Sequence, residues 1–299
     1  MSGAMRKILT LALLALATAC SAQADEAGKG KKKKKGGKKK ARTEMAAVAG
    51  LTRTGSLAGV AESSGLALAD APGTFYTHGD HGNRPELFRI NWEGKLLETI
   101  SVPGARNQDW EALAHDNKGR LYLADVGNNA NDRRDLTIYR FDPKKPTASA
   151  EAIRFHYADQ TAFPPAKAAR NFDCEAVIWR NGTLYLLTRD RGQHRNCRIY
   201  SLPDAPATNA VAKYVGAYEL DGEISGADLS PDERSLALIG REKLFLIALP
   251  NQTLTGGQVQ TIALAGAGQT EGVVFVDDKT LAISTEQGAI YRYVIGGAK

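Results

Sequence analysis

Asp109-Trp110-Glu111-Ala112-Leu113-Ala114 followed by Arg120-Leu121-Tyr122-Leu123-Ala124-Asp125 reads as two short strands divided by the turn residues Asp116, Asn117 and Gly119. The same pair recurs. Asp173-Cys174-Glu175-Ala176 opens into Val177-Ile178-Trp179, and Thr183-Leu184-Tyr185-Leu186-Leu187-Thr188 follows it. Three further segments have the same form: Glu62-Ser63-Ser64-Gly65, Glu223-Ile224-Ser225-Gly226 and Gln269-Thr270-Glu271-Gly272. A second marker lies downstream of each, at Asp80-His81-Gly82-Asn83, Asp125-Val126-Gly127-Asn128, Asp190-Arg191-Gly192-Gln193, Arg241-Glu242-Lys243 and Glu286-Gln287-Gly288. Self-similarity at a period of roughly 40–50 residues is the signature of a propeller or solenoid.

Within a repeat the apolar runs are short, rich in β-branched and aromatic residues, and bounded by Gly, Pro, Asn and Asp. The second repeat adds Leu136 to Phe141 and Glu151 to Tyr157, giving four strands per repeat. The fold expected is all-β, a β-propeller of five four-stranded blades. A sixth blade would have to occupy the stretch from Pro143 to Phe172. The fifth repeat supplies three strands, so residues 47–58 are expected to return as the outer strand of the last blade and close the ring.

The chain has 299 residues, 43% hydrophobic and 24% charged, as one globular domain with short extensions would. Its net charge of +6 is unevenly placed. Residues 1–44 hold twelve of the 39 basic residues and three of the 33 acidic ones, which leaves residues 45–299 near −3. A folded domain of that charge lacks the electrostatic footprint of nucleic-acid binding.

Met5-Arg6-Lys7 and the apolar run Ile8 to Ala19 form a secretory leader, too short to span a membrane. Two processing sites compete. Ala17-Thr18-Ala19-Cys20 resembles a lipobox that would be acylated at Cys20, and Ala22-Gln23-Ala24 suits ordinary signal peptidase. Residues 1–24 are thus expected as leader, 25–44 as a tether and 45–299 as the propeller. Lys31–Lys35 and Lys38–Lys40 cannot bury apolar surface, so the tether is expected to be disordered and to meet anionic membrane surfaces. The chain is expected as a monomer in the cell envelope, either an outer-membrane lipoprotein facing the periplasm or a soluble periplasmic protein. In that oxidising compartment Cys174 and Cys197 are expected to form a disulfide.

Blade geometry places the functional candidates. The start of the first strand and the end of the second share one edge of an antiparallel sheet, and the first strand is innermost. Glu111, Glu175 and Glu271 should therefore converge at one mouth of the channel, with Ser64 and Ser225 completing a ring of five. Three carboxylates held together repel unless protonated or bridged by a cation. Oxygen ligands in a flexible ring suit Ca²⁺, so these five are the expected metal ligands. Asp80, Asp125, Asp190, His78 and Arg241 are the candidates for catalysis around that ring. Asp-x-Gly also suits a turn, which is the structural alternative for the second marker.

The order Ser, Glu, Glu, Ser, Glu at this position resembles the SdiA-regulated family of bacterial envelope β-propellers, over residues 55–295. The resemblance implies a secreted or lipid-anchored propeller with an axial calcium site and no established reaction. Two features depart from that pattern, the lysine tether and the loop Asn128 to Arg134. A more distant similarity links the chain to esterase-like phytase propellers. Two functions follow: an envelope protein binding a small ligand or a protein partner on its acidic face, or a metal-dependent hydrolase of phosphoesters or lactones. No Gly-x-Ser-x-Gly elbow or phosphate-binding glycine loop is present to support catalysis.

Overall fold

The computed structural model describes residues 48–60 and 62–297. The expected leader, Cys20 and the lysine tether lie outside the described residues. Strand β1 (Leu51–Ser56) comes first and belongs to the last blade. Blade 1 comprises β2 (Ser63–Leu68), β3 (Thr74–Gly79), β4 (Glu86–Asn91) and β5 (Leu96–Ser101). Blade 2 comprises β6 (Trp110–His115), β7 (Leu121–Asp125), β8 (Thr137–Phe141) and β9 (Glu151–Tyr157). Blade 3 comprises β10 (Asp173–Arg180), β11 (Thr183–Arg189), β12 (Asn196–Pro203) and β13 (Ala207–Glu219). Blade 4 comprises β14 (Gly226–Leu229), β15 (Ser235–Gly240), β16 (Lys243–Ala248) and β17 (Gln258–Ala263). Blade 5 comprises β18 (Thr270–Asp277), β19 (Thr280–Thr285) and β20 (Ala289–Val294), with β1 as its fourth strand.

The fold is therefore a five-bladed β-propeller. The stretch from Pro143 to Phe172 holds β9 and a single 3₁₀ turn at Lys167–Ala169, with no further blade. Ring closure is as the repeat count requires. Leu51 pairs with Tyr293 and Ser56 with Ala289, antiparallel, so chain from before the first repeat completes the last sheet. One feature was not legible in advance: the outer strands β9 and β13 pair in parallel, joining blades 2 and 3 into a single eight-stranded sheet.

Five apolar clusters, one at each contact between neighbouring blades, make up the core. Alternate residues of a middle strand serve different neighbours. Leu184 and Leu186 face blade 2, whereas Leu187 and the partly buried Tyr185 face blade 4. This explains why the middle strands read as continuous apolar runs, since both faces of the sheet are buried. Full burial of each Leu, Ile, Val or Phe contributes about 1.5–3 kcal/mol, so the blade contacts dominate stability.

The same alternation overturns the expected disulfide. Cys174 lies in the cluster shared with blade 2, and Cys197 in the cluster shared with blade 4. Both thiols are free and buried. They point to opposite faces of one sheet, with β11 between them, and no rotamer can bring the sulfurs together. Burial pushes the Cys197 thiol up to about 12 and that of Cys174 well above its usual range.

Candidate functional site

The innermost strands β2, β6, β10, β14 and β18 surround the axis, each next to the following one. Glu111, Glu175 and Glu271 line a single axial cavity of ≈ 10 Å³. That space holds about one water molecule or one ion. Leu66, Leu113, Val177, Ala227 and Val273 line the same cavity. The axial carboxylates thus adjoin an apolar ring, and nothing larger than an ion can enter between them.

The three glutamates are held differently. Glu175 is buried and receives two guanidiniums: Arg189 Nη1 and Arg191 Nη2 each lie 3.0 Å from its Oε1. Arg191 Nε also donates to Asp173, at 2.5 Å, so one side chain clasps both acids of that marker. Arg189 is fixed in turn by its Nε bond to Ile224 O, 2.9 Å. Burial pushes Glu175 well above the usual carboxylate range, Glu111 and Asp173 add to the push, and the two arginines oppose it. Glu271 accepts a hydrogen bond from Gln269 Nε2 at 2.8 Å and is raised to about 7, mainly by burial. Glu111 has no side-chain hydrogen bond or ion pair among the described residues. Burial raises it well above its usual range, the charges of Asp80, Asp173 and Asp109 raise it further, and Arg189 opposes them.

Glu111 instead meets two other acids. One carboxylate oxygen each from Asp80, Asp109 and Glu111 lie within 4.8 Å of one another, all three side chains half-buried. Burial raises Asp80 and Asp109 as well. Gly127 is packed beneath them, and a Cβ there would strike Asp109 Oδ2 and Glu111 Oε1. The exposed His81 reaches Asp109 with Nδ1 at 3.3 Å. The grouping joins blades 1 and 2, and Glu111 belongs both to it and to the axial cavity.

Several expected site residues have other duties. Ser64 Oγ donates to the main-chain oxygen of Glu111 (3.1 Å) and Ser225 Oγ to that of Thr270 (2.5 Å). Both hydroxyls therefore tie neighbouring blades together, and neither serine is among the residues that line the axial cavity. His78 is fully buried, edge-on to Trp110 at 5.4 Å and 88°, and burial lowers it to about 4. It stands as a neutral core residue and does not face the mouth. Asp125 accepts from Asp109 N–H and from Arg133. Asp190 accepts from Gly192 N–H and Gln193 N–H; burial works against its charge, but such donors hold it below its usual range. Both aspartates thus fix turns, the structural reading of the second marker.

Sheet register shows why. The residues three beyond Ser64, Glu111, Glu175, Ser225 and Glu271 pair with Tyr76, Tyr122, Tyr185, Ala237 and Ala282. Counting four residues onward from each partner gives Asp80, Val126, Arg189, Arg241 and Glu286. These occupy equivalent places. Asp125 and Asp190 are each one residue out of phase, in opposite directions, and a one-residue slip turns a side chain to the other face. Arg241 keeps its expected place and is exposed. Of the five catalytic candidates, Asp80 and Arg241 remain on the mouth face. Asp109 and Arg189 were not singled out in advance for these roles.

No protein-family model matches the chain, and no curated protein does. Solved structures do. The PQQ-bound form of aldose sugar dehydrogenase from Streptomyces coelicolor is 13% identical, over 82% of this chain and 97% of that one, with a TM-score of 0.49. Catalytically inactive virginiamycin B lyase from Staphylococcus aureus with quinupristin is 10% identical over 78% and 66%, TM-score 0.40. Kuenenia stuttgartiensis hydrazine synthase is 12% identical over 76% and 56%, also at 0.40. At such identities the likeness concerns architecture alone.

Proposed function

We propose that the protein is a cation-dependent binding module of the bacterial envelope. A divalent cation, calcium by its preference for carboxylate oxygens, is held by Asp80, Asp109 and Glu111. The single observation that carries this reading is the convergence of those three carboxylates within 4.8 Å, around a Glu111 with no side-chain hydrogen bond or ion pair among the described residues. A cation there removes mutual repulsion and ties blade 1 to blade 2. It also gives the acidic mouth a fixed positive centre for an oxygen-rich ligand or a carboxylate of a protein partner. This reading puts the cation on Asp80, Asp109 and Glu111 in place of the three glutamates expected from the sequence, because Arg189 and Arg191 already pair with Glu175.

The envelope assignment rests on Met5–Ala19, on the two processing sites that follow, and on the resemblance to the SdiA-regulated propellers. Mass spectrometry of the mature chain tests it. Acylation at Cys20 or a start at Asp25 supports export, and a retained Met1 overturns it. The hydrolase reading is the weaker one, since His78, Asp125 and Asp190 do not stand free at the mouth.

Calcium titrations followed by thermal melting test the cation. At a hundredfold excess over Kd a ligand of the native state adds about 2.7 kcal/mol, so calcium raises the melting temperature and chelator lowers it. Glu111→Gln abolishes that response, whereas Glu93→Gln, on an exposed turn of blade 1, leaves it intact. A melting curve unmoved by calcium, with no metal found in the purified protein, refutes the site.

A further inference from the structure

Five strands form the rim of the propeller, and four are protected against pairing with another chain. β1 carries Arg53 and a bulge between Arg53 and Gly55. β5 carries Glu98, in an ion pair with Arg89, and its pairing with β4 shifts register after Arg89. β9 covers β13 from Ala207 to Ala212, and the rest of β13 carries Lys213 and Glu219 and a register shift against β12. The remaining rim strand, β17, reads Gln258-Val259-Gln260-Thr261-Ile262-Ala263. It has no charge and no proline, and it runs in unbroken register along β16, from Ala248 opposite Gln258 to Lys243 opposite Ala263. Charges, prolines and bulges are the usual protection of an exposed edge, and β17 has none of them.

The register also shows which groups face outward. Leu264 N–H donates to Glu242 O at 2.8 Å, continuing the β16–β17 ladder by one pair. Hydrogen-bonded pairs alternate in an antiparallel ladder, so Ile262, Gln260 and Gln258 bond to β16. Val259, Thr261 and Ala263 then turn N–H and C=O away from the sheet, where β17 is the last strand. A groove lined by Ser235, Leu246, Ala248 and Gln260 lies across the face of the same blade and is likewise uncharged.

We propose that β17 is a self-pairing edge through which two copies of the chain associate, antiparallel about Thr261. In that register Thr261 of both copies meet at the two-fold axis and Val259 lies opposite Ala263. All outward groups are satisfied, by about six main-chain hydrogen bonds. Because the strand is uncharged, no like charges face each other, and the Thr–Thr pair is a favourable cross-strand pair. A six-residue contact buries less than the ~1,200 Å² of a standard interface, so the association is weak and concentration-dependent. It also runs against the monomer expected from the sequence.

Disulfide trapping and sedimentation of the full chain test this, with Cys20→Ser to remove the one cysteine outside the described residues. Thr261→Cys gives a reducible dimer under mild oxidation, while Thr99→Cys on the charged rim strand β5 does not. Cys174 and Cys197 do not interfere, being buried. Sedimentation shows a monomer–dimer equilibrium that Thr261→Lys weakens at least about tenfold, because two like charges then face each other. Thr261→Pro does the same by removing an outward N–H, while the bonds to β16 stay in place. A wild-type chain that sediments as a monomer at every concentration, with Thr261→Cys trapped no better than Thr99→Cys, overturns the proposal. Dimers that survive both Thr261→Lys and Thr261→Pro overturn it equally, because they place the contact elsewhere.

Discussion

Blades 2 and 3 carry the same four-residue marker, Asp-x-Glu-Ala, at Asp109–Ala112 and Asp173–Ala176, and the two reach opposite electrostatic states. In blade 3, Arg191 bridges Asp173 and Glu175, and Arg189 adds a second guanidinium to Glu175. In blade 2 the place equivalent to Arg189 is taken by Val126, which is buried in the apolar cluster between blades 2 and 3. The neighbouring blade then brings a further acid, Asp80, towards Glu111. One marker becomes an internally neutralised clasp, and in the other no guanidinium reaches Glu111 within ion-pair distance among the described residues. A motif therefore fixes where carboxylates stand, while the strand beside it fixes what they can bind.

The largest effect is expected from breaking the clasp. Arg189→Met leaves a buried Glu175 with half its partners, and removing one member of a buried pair costs about 3–5 kcal/mol. Differential scanning calorimetry should show that loss. A variant as stable as the parent would mean that Arg191 alone neutralises Glu175.

A smaller effect comes from pH. Glu271 is raised to about 7 against an ordinary value near 4.5, so the folded state binds its proton more tightly than the unfolded chain does. Its contribution is fully present below the unfolded value and is lost as pH rises through 7. In chelator, stability should therefore fall by about 1–2 kcal/mol between pH 4.5 and 8, after allowance for solvent at the mouth. Glu271→Gln should flatten that slope. A slope that Glu271→Gln does not change would assign the pH dependence to Glu111 and its neighbours.

The smallest effect concerns the interior of blade 3. A reductant should leave the melting temperature unchanged, and maleimide should label Cys174 and Cys197 only on unfolding, because burial suppresses both thiolates. A reductant-sensitive melt would restore the disulfide and contradict the alternation of faces that separates the two residues.

The sequence alone determined the architecture. A repeat of four short strands whose inner strands are apolar on both faces can bury itself only against copies of itself, which sets a ring of five and requires Leu51–Ser56 to return as its last strand. It also determined that Glu111, Glu175 and Glu271 would meet at one cavity, because equivalent positions in a closed ring converge. The tertiary structure decided everything that depends on register and on neighbours from other blades. Asp125 and Asp190 share a motif with Asp80, yet a one-residue offset in pairing turns both into turn-fixing groups. Asp80 joins Asp109 and Glu111 across a blade boundary, and Arg189 reaches Glu175 from the adjacent strand. Ser64, Ser225 and His78 were drawn into contacts between blades. Strand periodicity is written in the order of residues, whereas the partner of a charge is set by distance in space, and β-sheet register settles that only after the chain has folded.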